Sequence, residues 1–445
     1  MRAHRTLILY SDHRKAPTVL TSEQNVLLTQ TGPETPVGRL FRRYWFPALL
    51  AEELPEADCP PVRVQLLGEK LIAFRDTSGR LGLLDEFCAH RTASLYFGRN
   101  EENGLRCAYH GWKYDVEGNL ADMPSEPEDS KFKCRIKQKS YPLVERGGVL
   151  WAYMGPGEKM PELPELEWAM LGEGQRFISK RLQETNYLQA MEGGIDSSHV
   201  SFAHRFNLDD DPMHSGTAGN EYIKADTRPK FEVAESDGGL LIGARRNANE
   251  EEFYWRITQW IMPFYTIIPP FGTHNPMGGH AWVPIDDTTC WAWSWNYHPT
   301  RDLREDELEQ MRNGDGIHAK YIPGTYRTLA NKGNDYLMDR EAQKQNKTFS
   351  GIEGIAAQDF SLQESMGDIA DRTKERLGTS DAAIILARRR LLAALDTMED
   401  EVLPGIDVAD QRVRSTSMLL PKDVPFHEGA NQAVQVVPGT DFVSI

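Results

Sequence analysis

Short runs that alternate apolar and polar residues dominate the first third of the chain, and apolar positions spaced three and four apart take over after residue 300. Val62-Arg63-Val64-Gln65-Leu66 alternates, residues 69–74 follow, and Thr77-Ser78-Gly79-Arg80 offers a turn before Leu81-Gly82-Leu83-Leu84. Residues 43–155 therefore read as many short strands joined by turns. Ahead of them, Thr21-Ser22 with Glu23 and Gln24 in a first turn predicts a short helix through Val26-Leu27-Leu28. The proline-broken run Met160-Pro161-Glu162-Leu163-Pro164-Glu165 marks a domain crossing within 156–175. A second β-rich region spans about 220–300, where residues 253–260 have strand composition. Alternation from Cys290 to Tyr297 places Trp291, Trp293, Trp295 and Tyr297 on one strand face. That row is either a substrate-pocket wall or sheet-to-helix packing, and packing is favoured because aromatics fill cores. Farther on, Ser380 is expected to cap a helix over 381–400, with Ile384, Ile385, Leu391, Leu392 and Leu395 on its buried stripe. The last forty-five residues lack such periodicity and are expected to wrap the surface as an extended tail.

At 445 residues the chain is long enough for two or more cores. Its formal charge of −16 opposes nonspecific nucleic-acid binding, which needs a basic surface. Five cysteines without regular spacing do not form a disulfide framework, so a reducing cytoplasm is expected. No segment approaches the roughly 18 apolar residues of a membrane span. Within residues 1–20, Arg2, Arg5, Arg14 and Lys15 flank a Leu7-Ile8-Leu9-Tyr10 run too short for a signal-peptide core. A disordered basic extension, or a start codon placed too early, is the expectation there.

Chemistry enters with Cys88-Ala89-His90, sixteen residues, then Cys107-Ala108-Tyr109-His110. Two such mixed Cys/His pairs are the ligand set of a Rieske 2Fe–2S centre, in which two thiolates hold one iron and two imidazoles the other. Finger-type zinc sites instead pair Cys with Cys and His with His. Arg91 after the first pair and Gly111-Trp112-Lys113-Tyr114 after the second fit the same centre.

Such a cluster moves electrons but transforms no substrate. Downstream, Glu192-Gly193-Gly194-Ile195-Asp196-Ser197-Ser198-His199 runs on to His204. Two histidines beside acidic residues suggest the 2-His-1-carboxylate triad of non-heme iron oxygenases. Asp196 and His199 would share a helical face. His204, five residues on, lies roughly 140° round an ideal helix, so both histidines reach one metal only if the helix ends or bulges.

Together these features resemble the large oxygenase subunit of Rieske non-heme iron aromatic-ring hydroxylating oxygenases, most closely the phthalate dioxygenase group. The resemblance runs from about Thr21 to the C-terminal region. It also rests on Phe41-Arg42-Arg43-Tyr44-Trp45-Phe46-Pro47, on Asn186-Tyr187-Leu188-Gln189 and on Gly354-Ile355-Ala356-Ala357-Gln358-Asp359. Ala89 departs from the family, which commonly has proline there. The implied fold is α+β: an all-β Rieske domain (43–155) ahead of a helix-grip catalytic domain (156–445) with antiparallel sheet and helices, on which residues 21–42 pack. The resemblance implies Asp359 as third iron ligand, 155 residues beyond His204. Glu353, Glu364 and Asp368 compete on spacing alone. It implies that Asp196 bridges His199 to His110 of a neighbouring subunit in a ring of three or stacked rings, and that Asn186 lies near the iron. NAD(P)H would feed a separate flavin/iron-sulfur reductase, the 2Fe–2S cluster and then a mononuclear Fe(II), where O2 is used on a small aromatic substrate.

Substrate identity is less determined. Relatives in the phthalate group act on aromatic carboxylates, which planar guanidinium groups match. Arg205, Arg245, Arg246 and Arg256 lie in the pocket-forming region, and three of the four are expected to be surface charges. The apolar run from Trp260 to Phe271 would suit a neutral aromatic ether or anilide, making the protein an oxidative O- or N-dealkylase instead. A bare Rieske electron carrier would need neither His199, His204 nor Asp359.

Overall fold

The computed structural model describes residues 8–9, 19–127, 130, 132–206, 208, 211–214, 217–272, 274–398 and 402–445. It divides into two compact units, one of residues 31–161 with 284–286 and one of 1–30, 162–283 and 287–445. Residues 31–42, expected on the catalytic half, thus belong to the first unit. Residues 21–30 belong to the second.

The first unit is built from small antiparallel sheets. Val62–Leu66, Glu69–Arg75, Leu81–Asp85 and Ser140–Tyr141 form one, and Arg99–Glu101, Gly104–Arg106, Lys113–Tyr114 and Leu120–Asp122 another. Trp45–Leu50, Leu143–Arg146 and Val149–Tyr153 form a third. The first two sheets close on a core of Ile72, Phe74, Leu84, Leu95, Leu105 and Trp112, which also takes in Cys88 and Cys107. Alternation turns one face of Val62–Leu66 inward, whereas the continuously apolar Trp45–Leu50 and Val149–Tyr153 are buried on both faces.

The second unit is organised by a nine-stranded sheet. Long strands at Lys230–Glu235, Gly239–Asn247, Glu252–Ile261, Met277–Pro284, Cys290–Tyr297 and Arg176–Gln183 carry it. Two expectations fail here. The backbone of Ile8–Leu9 pairs antiparallel with Ala234 and Glu235, so the N-terminal stretch contributes a short strand; residues 1–7 and 10–18 lie outside the described residues. The C-terminal segment is not a surface wrap, because Thr416–Pro421 pairs along Glu252–Ile261 and the following Phe426 is buried against Trp255. Its β-branched and aliphatic residues satisfy a strand that the sheet had left to be paired.

Helices pack on this sheet. Thr21 caps Ser22–Thr29 through a reciprocal box with Gln24, as its sequence predicts. Ala382–Thr397 buries Ile385, Leu386 and Leu391, while Ile384, Leu392 and Leu395 sit farther out than expected. The aromatic row is packing: Trp295 stacks on Trp168 at 4.9 Å, and Lys180 lies over Trp291 and Trp293. In register, Lys180 pairs with Trp293 and Arg181 with Ala292, so Arg181 projects from the opposite face of the sheet. Among the described residues no helix is long and apolar enough to cross a membrane.

Candidate active site

In the first unit, two tight turns bring the four expected cluster ligands together. Cys88 and Cys107 are buried on the core side, and the His90 and His110 rings meet edge to face at 4.4 Å. Each turn closes on its own cysteine, with Thr92 N donating to Cys88 O and Gly111 N to Cys107 O. Gly111 takes a φ of +77°, the left-handed conformation this turn requires. Trp112 stacks flat on His90 at 4.4 Å, and the Tyr114 hydroxyl lies 3.1 Å from Cys88 Sγ. Two sulfur donors inward and two imidazoles outward suit a 2Fe–2S cluster with distinct inner and outer irons.

In the second unit, the Tyr187–Ile195 helix stops at Asp196, whose backbone is extended. A separate turn, His199–Ser201, follows. The helix thus ends before both histidines, which removes the angular obstacle; it also means that Asp196 and His199 share no helical face. They meet across the turn instead, with Asp196 Oδ2 3.7 Å from His199 Nδ1 while Oδ1 accepts from Ser198 N at 2.7 Å. Gly193 and Gly194 allow this helix to seat. A β-carbon on the first would lie 2.2 Å from Gln363 Nε2, and on the second 2.1 Å from Trp282.

The third donor arrives on the Ile355–Ser365 helix. Asp359 Oδ1 lies 3.3 Å from His199 Nε2 and 3.1 Å from His204 Nε2, and the two Nε2 atoms are 3.1 Å apart. An octahedral face with donors about 2.1–2.2 Å from a metal has edges of about 3.0 Å, so this triangle has the size such an ion needs. Among the described residues, these three form the group whose donor atoms lie within 4.8 Å of one another. The competing acids are engaged elsewhere. Glu364 accepts from Glu184 N and Tyr336, Asp368 faces Lys332, and Glu353 is exposed along a separate cavity.

Gln358, one residue before Asp359, orients the triad. His204 Nδ1 lies 2.8 Å from Gln358 Oε1, while Gln358 Nε2 donates to Ile352 O. The amide therefore takes the Nδ1 proton and leaves the Nε2 lone pair for a metal. Electrostatics follow. Burial alone would lower the His199 pKa, but the neighbouring carboxylates of Asp196 and Asp359 raise it to about 10. Burial would raise Asp359, yet His204 and His199 hold it far below the usual carboxylate range. The triad attracts a cation through its carboxylate and offers neutral nitrogens once one is bound.

Residues 44–142 match the Rieske [2Fe-2S] domain, and residues 152–433 match the LigXa C-terminal domain like family. The 3-chlorobenzoate-3,4-dioxygenase oxygenase subunit of Comamonas testosteroni is 37% identical over 93% of this chain and 98% of its own length. The phthalate 4,5-dioxygenase oxygenase subunit of Pseudomonas putida is 38% identical over 92% and 94%. The crystal structure of dicamba monooxygenase bound to dicamba shares the fold, at a TM-score of 0.57 and 18% identity over 81% of this chain and 99% of that one. The chain belongs to the Rieske oxygenase alpha subunits of the phthalate group. It is an oxygen-incorporating oxidoreductase with a Rieske 2Fe–2S domain.

Around the triad the oxygenase has a cavity whose apolar wall includes Val200, Leu208, Ile268, Phe271, Ile317 and Ile355. Its polar wall departs from expectation. Arg205 is exposed, and half-buried Arg245 pairs with Glu232. Arg246, 1% exposed, braces the segment leading into His199 by donating to Ser197 O. Arg256 lines the cavity at 3% exposure with its guanidinium over Phe271. Arg181, absent from the sequence reading, lines it too at 4% exposure and donates to Ser294 Oγ. Only the strand register, which turns Arg181 away from the aromatic face, identifies it. Arg181 Nε and Arg256 Nη1 have no hydrogen-bond partner, and among the described residues neither side chain has an ion pair. Beside them His280 is held neutral, its pKa lowered to about 3 by burial and by Arg181.

Asn186 does not belong to the cavity lining. It caps the far end of the Tyr187–Ile195 helix, accepting from Leu188 N and donating to Thr29 O and Asp287 O. With both side-chain atoms committed to these bonds, it serves as a helix cap outside the residues that line the cavity of the triad.

Proposed function

We propose that this oxygenase hydroxylates an aromatic carboxylate, with Cys88, His90, Cys107 and His110 holding the 2Fe–2S cluster and His199, His204 and Asp359 a mononuclear Fe(II). When bound, these groups supply electron delivery and O2 activation. Support for an anionic substrate comes from Arg181 and Arg256, two buried guanidinium groups that face the cavity of the triad and have no ion pair among the described residues. Burying such charges is costly unless an anion completes them. A carboxylate seated there would present its ring to the triad, while Val200, Ile268, Phe271 and Ile355 exclude water from the reacting face. Gln358 keeps the His204 ring in one tautomer, and Asp196 holds His199 on its Nδ1 side. Electrons would come from NAD(P)H through a separate flavin/iron-sulfur reductase or ferredoxin, and a ring of three copies would place one subunit's cluster against the next subunit's Asp196.

The test supplies the protein with a surrogate reductase, NADH and labelled dioxygen, and offers benzoate and phthalate acids alongside aryl methyl ethers. Two labelled oxygens in a product from an acid are expected. Turnover of the ethers alone, with one label and formaldehyde released, would replace this reading by oxidative dealkylation. Arg181→Met or Arg256→Met should raise KM for the acid by about 10- to 100-fold, the loss typical of a charged hydrogen bond.

A further inference from the structure

Gln138 was singled out neither by spacing nor by the metal sites, yet it holds the first cluster turn. Its side chain is buried at 2% exposure. Its Oε1 accepts from Ala89 N at 2.9 Å, and its Nε2 donates to Asp85 O at 2.9 Å and to Phe87 O at 2.8 Å. One amide thus ties three backbone groups in the five residues leading through Cys88. The other backbone groups there are already committed. Asp85 N donates to Lys139 O, Glu86 N to Lys70 O, Phe87 N to Asp85 Oδ1 and Cys88 N to Ala93 O. Glu86 O accepts from Leu95 N, and Cys88 O from Thr92 N. Gln138 itself is pinned by its backbone N–H to Gly118 O at 2.8 Å. Gly118 must be glycine for that approach, because a β-carbon there would lie 2.2 Å from Gln138 O.

We propose that Gln138 is a positioning residue for the cluster: its amide holds the backbone at Ala89 as a proline ring placed there would. A proline fixes φ and removes the backbone N–H. Alanine does neither, so the turn would be looser by a dihedral and would carry an extra donor beside the cysteine sulfur. The Gln138 Oε1 bond removes both differences, holding the backbone and occupying the donor. Its position matters electronically. Ala89 follows Cys88 directly, and Cys88 Sγ lies 3.1 Å from the Tyr114 hydroxyl. Hydrogen bonds to cluster sulfurs set the reduction potential. The inference rests on the assignment of Cys88 and His90 as cluster ligands.

Three variants of the full chain test it: Gln138→Leu, Gln138→Glu, and Gln138→Leu combined with Ala89→Pro. The readouts are iron release to a chelator, the midpoint potential of the cluster and its electron paramagnetic resonance signal. Gln138→Leu removes the side-chain partner of two carbonyls and one N–H in part-buried bonds and should release cluster iron about tenfold faster, the scale of losing such hydrogen bonds. Its potential should shift beyond the scatter of repeat titrations. Gln138→Glu, which keeps the acceptor but loses the donors, should fall between wild type and Gln138→Leu. If Gln138→Leu does not fold, Gln138→Glu measured against wild type decides the matter: a wild-type potential and a wild-type rate of iron release in it would overturn the proposal. Ala89→Pro should return the potential of Gln138→Leu toward wild type although it restores none of the lost bonds. An unchanged potential in both single variants would make Gln138 a merely structural residue and overturn the proposal, as would a double variant no closer to wild type than Gln138→Leu. A wild-type protein without a Rieske signal would overturn the cluster assignment, and the clamp with it.

Discussion

In the cluster-bearing unit all four proposed ligands come from two turns separated by sixteen residues, each closed by its own backbone hydrogen bonds. In the catalytic unit two of the proposed ligands lie within the six residues His199 to His204 and the third on a helix 155 residues beyond His204. The first arrangement is local: a small sheet suffices to present it. The second exists only after the helices of Asp196 and Asp359 have docked, and that docking depends on two glycines and on buried charges. The two sites should therefore fail independently and for different reasons.

The largest separation of the two is expected from Asp359→Ala. It should abolish turnover and lose the mononuclear iron while the Rieske spectrum stays as in wild type. Metal analysis should fall from about three irons per chain to about two. Full iron and activity in this variant would move the role to another acid.

Asp196→Asn probes what joins the sites. Both metals should remain, because Asp196 is not among the three converging donors. Electron transfer from reduced cluster to the mononuclear site should slow by orders of magnitude, since the carboxylate that orients His199 would be gone. Stopped-flow reoxidation of the cluster in the presence of substrate and O2 measures this. A wild-type rate would leave Asp196 as only a helix terminator. Mixed rings of subunits lacking His110 and subunits lacking Asp359 should regain activity if transfer crosses between copies; verified mixed rings without recovery would confine it to one chain.

Glu192→Gln strikes the scaffold of the catalytic unit alone. Glu192 is bound by Arg372 at 3.1 Å and by Arg388 at 2.6 Å, all three buried. Removing one partner of a buried pair costs about 3–5 kcal/mol. Burial would raise the Glu192 pKa, but Arg372 and Arg388 hold it below its ordinary value of 4.5. A depressed folded pKa contributes stability above that ordinary value and loses it as pH falls through the folded pKa. Denaturant titrations should show the wild type weakening below about pH 4.5 and the variant weakening less steeply there, with the cluster-bearing unit unaffected. An identical acid slope in the two proteins would refute the pairing.

The smallest effect is expected at Thr21. Thr21→Ala breaks the capping box of Ser22–Thr29 and should cost about 1 kcal/mol without altering either metal content. Thermal unfolding checks it, and a loss of iron would show that this cap supports the site.

What the sequence made legible follows the range of the interaction. Cys88, His90, Cys107 and His110 were readable because their turns depend on neighbours within a few residues. The Thr21 cap and the alternating strands of residues 62–84 were readable for the same reason. His199 and His204 were readable as a pair, but not the end of the helix that lets them converge, because Asp196 leaves the helix where Gly193 and Gly194 meet Gln363 and Trp282. Asn186 misled through its place in a family motif: its polar side chain is consumed by a helix cap and two carbonyls contributed from far along the chain.

By itself, then, the sequence determined the local chemistry: the mixed Cys/His turns, the histidine pair and the two-residue period of the strands, each set by spacing along one stretch of backbone. Only the tertiary structure decided which acid completes the triad, since Asp359, Glu353, Glu364 and Asp368 differ in surroundings and not in type. It alone turned Arg181 to the cavity face of the sheet, drew Thr416–Pro421 into that sheet, and set Gln138 across the cluster turn. Each of these depends on a partner that comes close only when distant segments pack, and no spacing along the chain records that approach.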